Sequence, residues 1–378
     1  MIDTTSRAFA SPLRYIQGRG EFERFEEHTR ELGNRVFFLI DPFLYESLSV
    51  RMQSVYHGTD SEITTTAFGG EATYQEAERL IDAVRAAEAN VIVAMGGGKT
   101  MDTGKLIAIK MGLPMVMAPT SISTDAPTSA VSMMYTETGE SAGACPHDRH
   151  PDLVLVDSQV VSQAPLRLTR AGMADALATY IEAAANARSD NYNYIDCKYR
   201  RTVAGMHIAR AAYDTILASG RRAFLSARAG VCSAALEDII EANTLLSGLG
   251  FENCGSAGAH LLAGALTTIP EAHKFLHGEL VSFGIVFQLM LENAPQEDVN
   301  VILELLTDLE LPVTLEQIGL DNAPECIAGI LNAVLLSPDS FAEPFLIEPE
   351  DISAALIMAD AVGKEFLNKK RQGGIVCG

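Results

Sequence analysis

The sequence contains no C-x-x-C pair. Its six cysteines, Cys145, Cys197, Cys232, Cys254, Cys326 and Cys377, are scattered along 378 residues. That argues against a disulfide framework and against a cysteine zinc knuckle, and leaves reduced thiols as the expectation. A basic start followed by an apolar run, the mark of a secretory signal, is missing. Apolar stretches are broken by glycine or polar residues before they reach membrane-spanning length. A soluble, cytoplasmic protein is therefore expected. Positive charge is scarce: 28 Lys and Arg stand against 49 Asp and Glu, a net charge of −21. Such a surface repels nucleic acid and anionic lipid, so neither is an expected partner. Low-complexity tracts and internal repeats are absent too.

Two familiar nucleotide motifs also fail. A P-loop needs a glycine five residues before Gly98, and Val93 stands there. Gly18-Arg-Gly20 begins like G-x-G-x-x-G but lacks the third glycine, and reads as a turn.

What is present is a chain with 48% hydrophobic residues, enough for two domains. The first 160 residues alternate apolar runs, Val36–Ile40, Val91–Met95 and Pro114–Ala118, with helix-like segments, Tyr74–Glu88 and Met101–Met111. This alternation predicts parallel strands with crossover helices. From about Leu168 the texture changes to long Ala- and Leu-rich segments: Ala171–Ala187, Thr202–Ser219, Val231–Ser247, Ala257–Leu266, Leu280–Asn293 and Val299–Leu306. Their length and composition predict helices. The expectation is an α/β, Rossmann-like parallel-sheet domain over residues 1–163 and an all-α domain over 164–378. Ligands of such proteins sit at the carboxyl ends of the strands, often where two domains meet, and the active site is expected there.

Gly96-Gly97-Gly98 follows a strand and opens a helix. Backbone N–H groups and a helix N-terminus together suit a pyrophosphate, although a tight strand–helix turn would use the same residues. Lys99 reads as a phosphate or ribose contact or as a solvated lysine. Asp41, at the end of the first strong strand, can hydrogen-bond a ribose diol and repel a 2′-phosphate, which selects NAD over NADP; it can equally be a turn residue before Pro42.

Three residues of the second half stand out. Asp175 lies in an almost wholly apolar helical stretch, where an isolated carboxylate is costly to bury. His260 is surrounded by apolar residues, and His277 stands just before an apolar helix, where neutral imidazole is favoured. One Asp and two His suit a catalytic zinc site with one open position. His273, four residues before His277, is the competing ligand.

Four segments, Gly96–Asp102, Pro119–Ser129, Ala171–Tyr180 and His277–Glu279, resemble the glycerol dehydrogenases of the iron-containing alcohol dehydrogenase superfamily. The resemblance covers nearly the whole chain and is most specific in Ser123-Thr-Asp-Ala-Pro-Thr-Ser129. It implies a dehydroquinate synthase-like fold, metal ligation by Asp175, His260 and His277, and a substrate hydroxyl on Asp125. It implies NAD contacts at Asp41, Gly96, Gly97, Gly98, Lys99, Asp102, Thr120, Ser123, Ser129, Val131 and Tyr135. Iron-using relatives carry a further histidine where this chain has Thr179, so the resemblance implies zinc. It also implies a homo-oligomer, and a small polyol or hydroxyketone as substrate. Two departures appear: Leu261–Ala265 replaces a more polar segment near the expected substrate pocket, and Ala174 replaces a glycine. Sister activities on 2-oxo acids, other hydroxyketones or glycerol phosphate are the nearest rivals. A phosphotransferase and a catalytically silent NAD-binding protein are more distant ones.

Overall fold

The computed structural model describes residues 5–337 and 341–373; Cys377 and the first four residues, whose features were read above, lie outside them. Eight strands are found among the described residues: β1 (Tyr15–Gly18), β2 (Arg35–Ile40), β3 (Glu62–Ala67), β4 (Val91–Gly96), β5 (Met115–Pro119), β6 (Val131–Tyr135), β7 (Ser141–Pro146) and β8 (Leu153–Asp157). Six form one parallel sheet in the order β1-β8-β5-β4-β2-β3, and β6 and β7 form a separate antiparallel hairpin. Every residue of β4, β5 and β8 is buried. That is why these strands read as continuous apolar runs: a parallel sheet covered on both faces leaves no polar alternation. Strand β3, Glu-Ile-Thr-Thr-Thr-Ala, is an edge strand and only partly buried, and carries no such signal.

The order contains a switch. From β2 the chain crosses outward to β3; from β4 it crosses the other way, to β5. The segments leaving the carboxyl ends of the neighbouring strands β2 and β4 therefore diverge and open a crevice between them. Asp41 follows β2, and Gly97 follows β4.

The predicted helices form. Tyr74–Ala86 is capped by Thr73, whose hydroxyl accepts from Glu76 N, and buries Ala77, Leu80, Ile81 and Val84. Gly98–Met111 starts at the glycine turn and stops at Gly112, with φ 65°. The later segments become Leu166–Ser189, Val203–Arg228, Gly258–Leu266, His277–Leu291 and Gln296–Asp308. Two further helices, Pro324–Leu336 and Pro349–Gly373, complete a helical region. The architecture is the expected parallel α/β sheet plus an all-helical part.

The compact units do not follow a single cut at 163/164. One unit is Ala10–Thr169 together with Leu225–Leu249; the other holds the remaining described residues, including the stretch before Ala10. Helix Ala234–Glu241 and the π-helical turn Ala242–Leu246 belong with the sheet because their polar groups are tied to it. Gln17 Nε2 donates to Glu237 Oε2 at 2.6 Å, Ser158 Oγ to Glu237 Oε1 at 2.6 Å, and Tyr15 OH lies 2.8 Å from Thr244 Oγ1. Helical periodicity does not report which core a helix joins.

The helical unit contains one poorly compensated carboxyl. The side chain of Glu343 is fully buried and its oxygens find no hydrogen-bond donor. Burial, and then the charge of Glu292, push its pKa from 4.5 up to about 8, with Glu182 adding to the shift and Arg188 opposing it. The folded-state pKa lies above the unfolded one. The stability tied to this group is thus complete below the ordinary carboxyl pKa and is lost as pH rises through about 8. Between about pH 6 and pH 9 the melting temperature of the native chain should fall by about 2 °C more than that of Glu343→Gln. Parallel melting profiles for the two would remove the assignment.

Candidate active site

Each compact unit carries one cluster of the residues singled out above. In the sheet unit, the crevice beyond β2 and β4 is a cavity of about 200 Å³ lined by Asp41, Phe43, Gly97, Gly98, Lys99 and Thr100, among others. Gly97 caps the helix that begins at Gly98, so the helix N-terminus faces this space through Gly97, Gly98 and the first-turn residues Lys99 and Thr100. Asp41 Oδ1 accepts from Phe43 N at 3.0 Å, so the turn role read for this acid is real, and the same residue lines the cavity. Lys99 is not simply solvated. Its Nζ lies 2.7 Å from Glu71 Oε2 and 4.5 Å from the centre of the Tyr135 ring.

Asp102 is elsewhere. It is buried, 2.9 Å from Lys105 Nζ, and accepts from Met133 N at 3.1 Å. Burial raises its pKa, against the pull of Lys105. Lys105 is itself fully buried and donates to the carbonyls of Ala126 and Val131. The pair holds the segment carrying Ser129 and Val131, and Asp102 does not line the cavity. Thr120 N donates to Gly96 O at 3.0 Å, which fastens the start of the Thr120–Ser129 loop beside the glycine turn.

That loop is tied to the π-helical turn by three side chains. Asn243 Nδ2 donates to Ile122 O at 3.1 Å, Thr128 Oγ1 to Thr244 O at 2.9 Å, and Ser247 Oγ to Asp125 Oδ2 at 3.0 Å. The approach is so close that a Cβ on Gly248 would lie 2.0 Å from Thr128 Oγ1 and 2.8 Å from Asp125 O. Only glycine fits there. A single-turn π segment is a frequent companion of functional sites, and Ser247, the residue that follows this one, holds Asp125.

In the helical unit, Asp175, His260 and His277 converge from three helices, with ligand atoms all within 4.8 Å of one another. Asp175 Oδ1 lies 3.1 Å from His260 Nε2 and 3.4 Å from His277 Nε2. Donor atoms about 2.1 Å from a tetrahedral ion would be about 3.4 Å apart. The spacing and the mixed N/O donor set thus fit a divalent metal ion. His277 is the first residue of its helix. Gly278 allows this: a Cβ there would stand 1.9 Å from Ala171 O, so the helix start is pressed against the helix that bears Asp175. Asp175 is 3% exposed and His277 41%, so the cluster has a closed floor and an open side. Burial opposes ionisation of Asp175, but the two imidazoles outweigh it and hold the carboxyl well below its usual range. Burial likewise opposes charge on His260, and Glu182 with Asp175 overcomes it. His273 is exposed and outside the cluster. Thr179 is buried and packed against Gly250.

Several residues were missed in the sequence. Glu182, 1% exposed, contacts His260 Nδ1 and accepts the backbone N–H groups of Ala257 and His260. A signal existed: it lies seven residues after Asp175, on the same face two helical turns on. Lys105 stands one turn after Asp102, a readable spacing too. Nothing in the sequence marked Glu71, Asn243 or Ser247. The departing segment also differs from expectation: Leu261, Leu262, Ala263 and Ala265 are buried side chains of the helical core.

The sequence model of the iron-containing alcohol dehydrogenase family matches residues 12–158. Glycerol dehydrogenase of Citrobacter freundii is 38% identical over 365 residues, covering 96% of this chain and 99% of that one. Glycolaldehyde reductase of Halobacterium salinarum is 35% identical, covering 96% and 99%. A probable glycerol dehydrogenase from Sinorhizobium meliloti 1021, known by crystal structure, superposes with a TM-score of 0.88 at 39% identity, covering 95% of this chain and 100% of that one. With this similarity along its whole length and both clusters in place, the chain belongs to the glycerol dehydrogenases of the iron-containing alcohol dehydrogenase family.

Proposed function

We propose that the protein is an NAD-dependent, zinc-dependent dehydrogenase that interconverts a small vicinal diol of the glycerol type and its hydroxyketone. The observation that carries this reading is the convergence of Asp175, His260 and His277 in a chain that resembles glycerol dehydrogenases end to end. Zinc, when bound, supplies Lewis acidity toward an alcohol oxygen, and nicotinamide supplies the hydride acceptor. Asp175, His260 and His277 hold the metal. Zinc is preferred over iron because Thr179, packed against Gly250, adds no fourth protein ligand.

The cofactor roles follow the cavity. Backbone N–H groups at Gly97 and Gly98 and the helix N-terminus receive the diphosphate, and Gly96, the last residue of β4, stands behind them. Lys99 exchanges Glu71 for the cofactor's anionic part. Asp41 receives the adenosine ribose diol and disfavours a 2′-phosphate. Thr120, Ser123, Ser129, Val131 and Tyr135 complete the cofactor contacts by resemblance, while Asp102 acts through Lys105 on the position of Ser129 and Val131. Asp125, steadied by Ser247, holds the hydroxyl next to the one oxidised and relays the proton that the oxidised hydroxyl releases. The sheet unit as the cofactor-binding part, the helical unit as the metal-binding part, a homo-oligomeric assembly and a cytoplasmic location belong to the same reading. Among the described residues, no helix is long and apolar enough to cross a membrane.

The direct test is NAD reduction at alkaline pH by zinc-loaded protein, with glycerol, 1,2-propanediol, 2,3-butanediol and 2-hydroxy acids offered separately. Turnover of the diols that EDTA abolishes is expected; turnover of the hydroxy acids alone would replace this reading by the sister activity. Asp175→Asn, His260→Ala and His277→Ala should each reduce diol oxidation to the detection limit while NADH still binds, followed by its fluorescence. A variant that keeps its activity takes that residue out of the metal site. Asp41→Ala should raise the preference for NADP relative to NAD by about tenfold or more in kcat/KM. An unchanged ratio would mean that Asp41 is only a turn residue.

A further inference from the structure

Glu182 is a buried carboxylate without a place in the chemistry above. Its side chain is 1% exposed. Oε1 accepts two backbone N–H groups at the start of helix Gly258–Leu266, from Ala257 at 2.9 Å and from His260 at 2.8 Å. Oε2 faces His260 Nδ1. The same imidazole points its Nε2 at Asp175. Both ring nitrogens are thus committed: one to a carboxylate behind, one to the candidate metal cluster in front.

We propose that Glu182 is a positioning residue that sets the tautomer and ring orientation of His260 for metal binding; the proposal rests on the metal-site reading above. A carboxylate can only accept at Nδ1, so the proton stays on Nδ1 and the lone pair on Nε2 is turned toward the metal. Because Oε1 grips the backbone of the residue whose ring Oε2 orients, the main chain and the imidazole of His260 are set by one side chain. The third grip, on Ala257 N, caps the helix that carries the ligand. Helix position and ligand tautomer are thereby linked through a single carboxylate.

The discriminating substitution is Glu182→Gln. Its amide oxygen can keep the two backbone bonds, whereas its NH₂ group presents a donor to Nδ1. That moves the imidazole proton to Nε2, where it blocks the metal. Helix capping survives and the ligand is lost, so a structural role and a positioning role separate.

The test measures zinc affinity of the metal-stripped full-length chain by competition with a chromophoric chelator, alongside its metal-free melting temperature. Native protein, Glu182→Gln, Glu182→Asp and Asp175→Asn are compared. Expected is a loss in zinc affinity of roughly 10- to 100-fold for Glu182→Gln in a chain that still folds metal-free, and partial recovery in Glu182→Asp. At saturating zinc, the KM for NAD of Glu182→Gln should equal the native value. If Glu182→Gln binds zinc as tightly as the native chain while Asp175→Asn does not, the positioning role is wrong and the metal site stands. A lower metal-free melting temperature with native zinc affinity would assign Glu182 to helix capping alone. If the native chain itself does not bind zinc, the metal-site reading falls and this proposal falls with it.

Discussion

An ionised carboxylate inside a helical core costs several kcal/mol unless charge and hydrogen bonds compensate it. Asp175 sits in that position, and the helical unit is arranged around its compensation. His260 and His277 bring their Nε2 atoms to one of its oxygens, and Glu182 meets His260 from the other side. Acid and imidazole alternate through the cluster, so each buried charge has a partner of opposite kind. The neighbouring residues are small for the same reason. Gly278 lies against Ala171, and Ala185 packs with Ala257 at the start of the helix that bears His260. Larger side chains would push three helices apart, and side chains as short as aspartate and histidine would no longer meet.

The sheet unit solves a different problem with different means. On a chain of net charge −21 the proposed anionic cofactor would be received by a local field rather than a global one. The crevice beyond β2 and β4 offers backbone N–H groups at a helix N-terminus, a source of partial positive charge that no surface carboxylate can titrate away. Lys99 adds a full charge but shares it with Glu71 at 2.7 Å. In the proposed cofactor role, fixed dipoles thus carry the site and the Lys99 cation is secondary. Around them, the buried Lys105–Asp102 pair and the π-helical turn at Ala242–Leu246 hold the loops at fixed positions.

How far the sequence could be read follows from the same physics. Strands β2, β4 and β5 were legible because burial on both faces leaves uninterrupted apolar runs. Strand β3 was not, since an edge strand of threonines faces partly outward, and the β6–β7 hairpin has a largely exposed partner strand. The helices were legible from length and alanine content, but the membership of Leu225–Leu249 in the sheet unit depends on hydrogen bonds between residues over a hundred positions apart, which no local pattern records. At the sites, Asp175 was conspicuous as a charge in apolar surroundings, and the two histidines stood in similar ones. Asp102 followed the motif rather than the cavity: its spacing to the glycines is fixed, but the helix turns it inward toward Lys105. Ser247 and Asn243 are ordinary polar residues until the chain is folded.

The Leu261–Ala265 segment shows how burial changes an inference about specificity. In the sequence it reads as an apolar replacement near a substrate. In the structure the side chains of Leu261, Leu262, Ala263 and Ala265 have almost no exposed surface. A side chain without exposed surface in this unit does not present a contact to a small polyol within it. The segment instead forms most of the helix that carries His260, whose ring is clamped between Glu182 and Asp175. A change of side-chain volume along that helix acts first on the position of the imidazole. The residues that decide which diol is accepted are then sought among groups with open surface near the cluster. His277, on the open side of the candidate metal cluster, is the first reference point for that search.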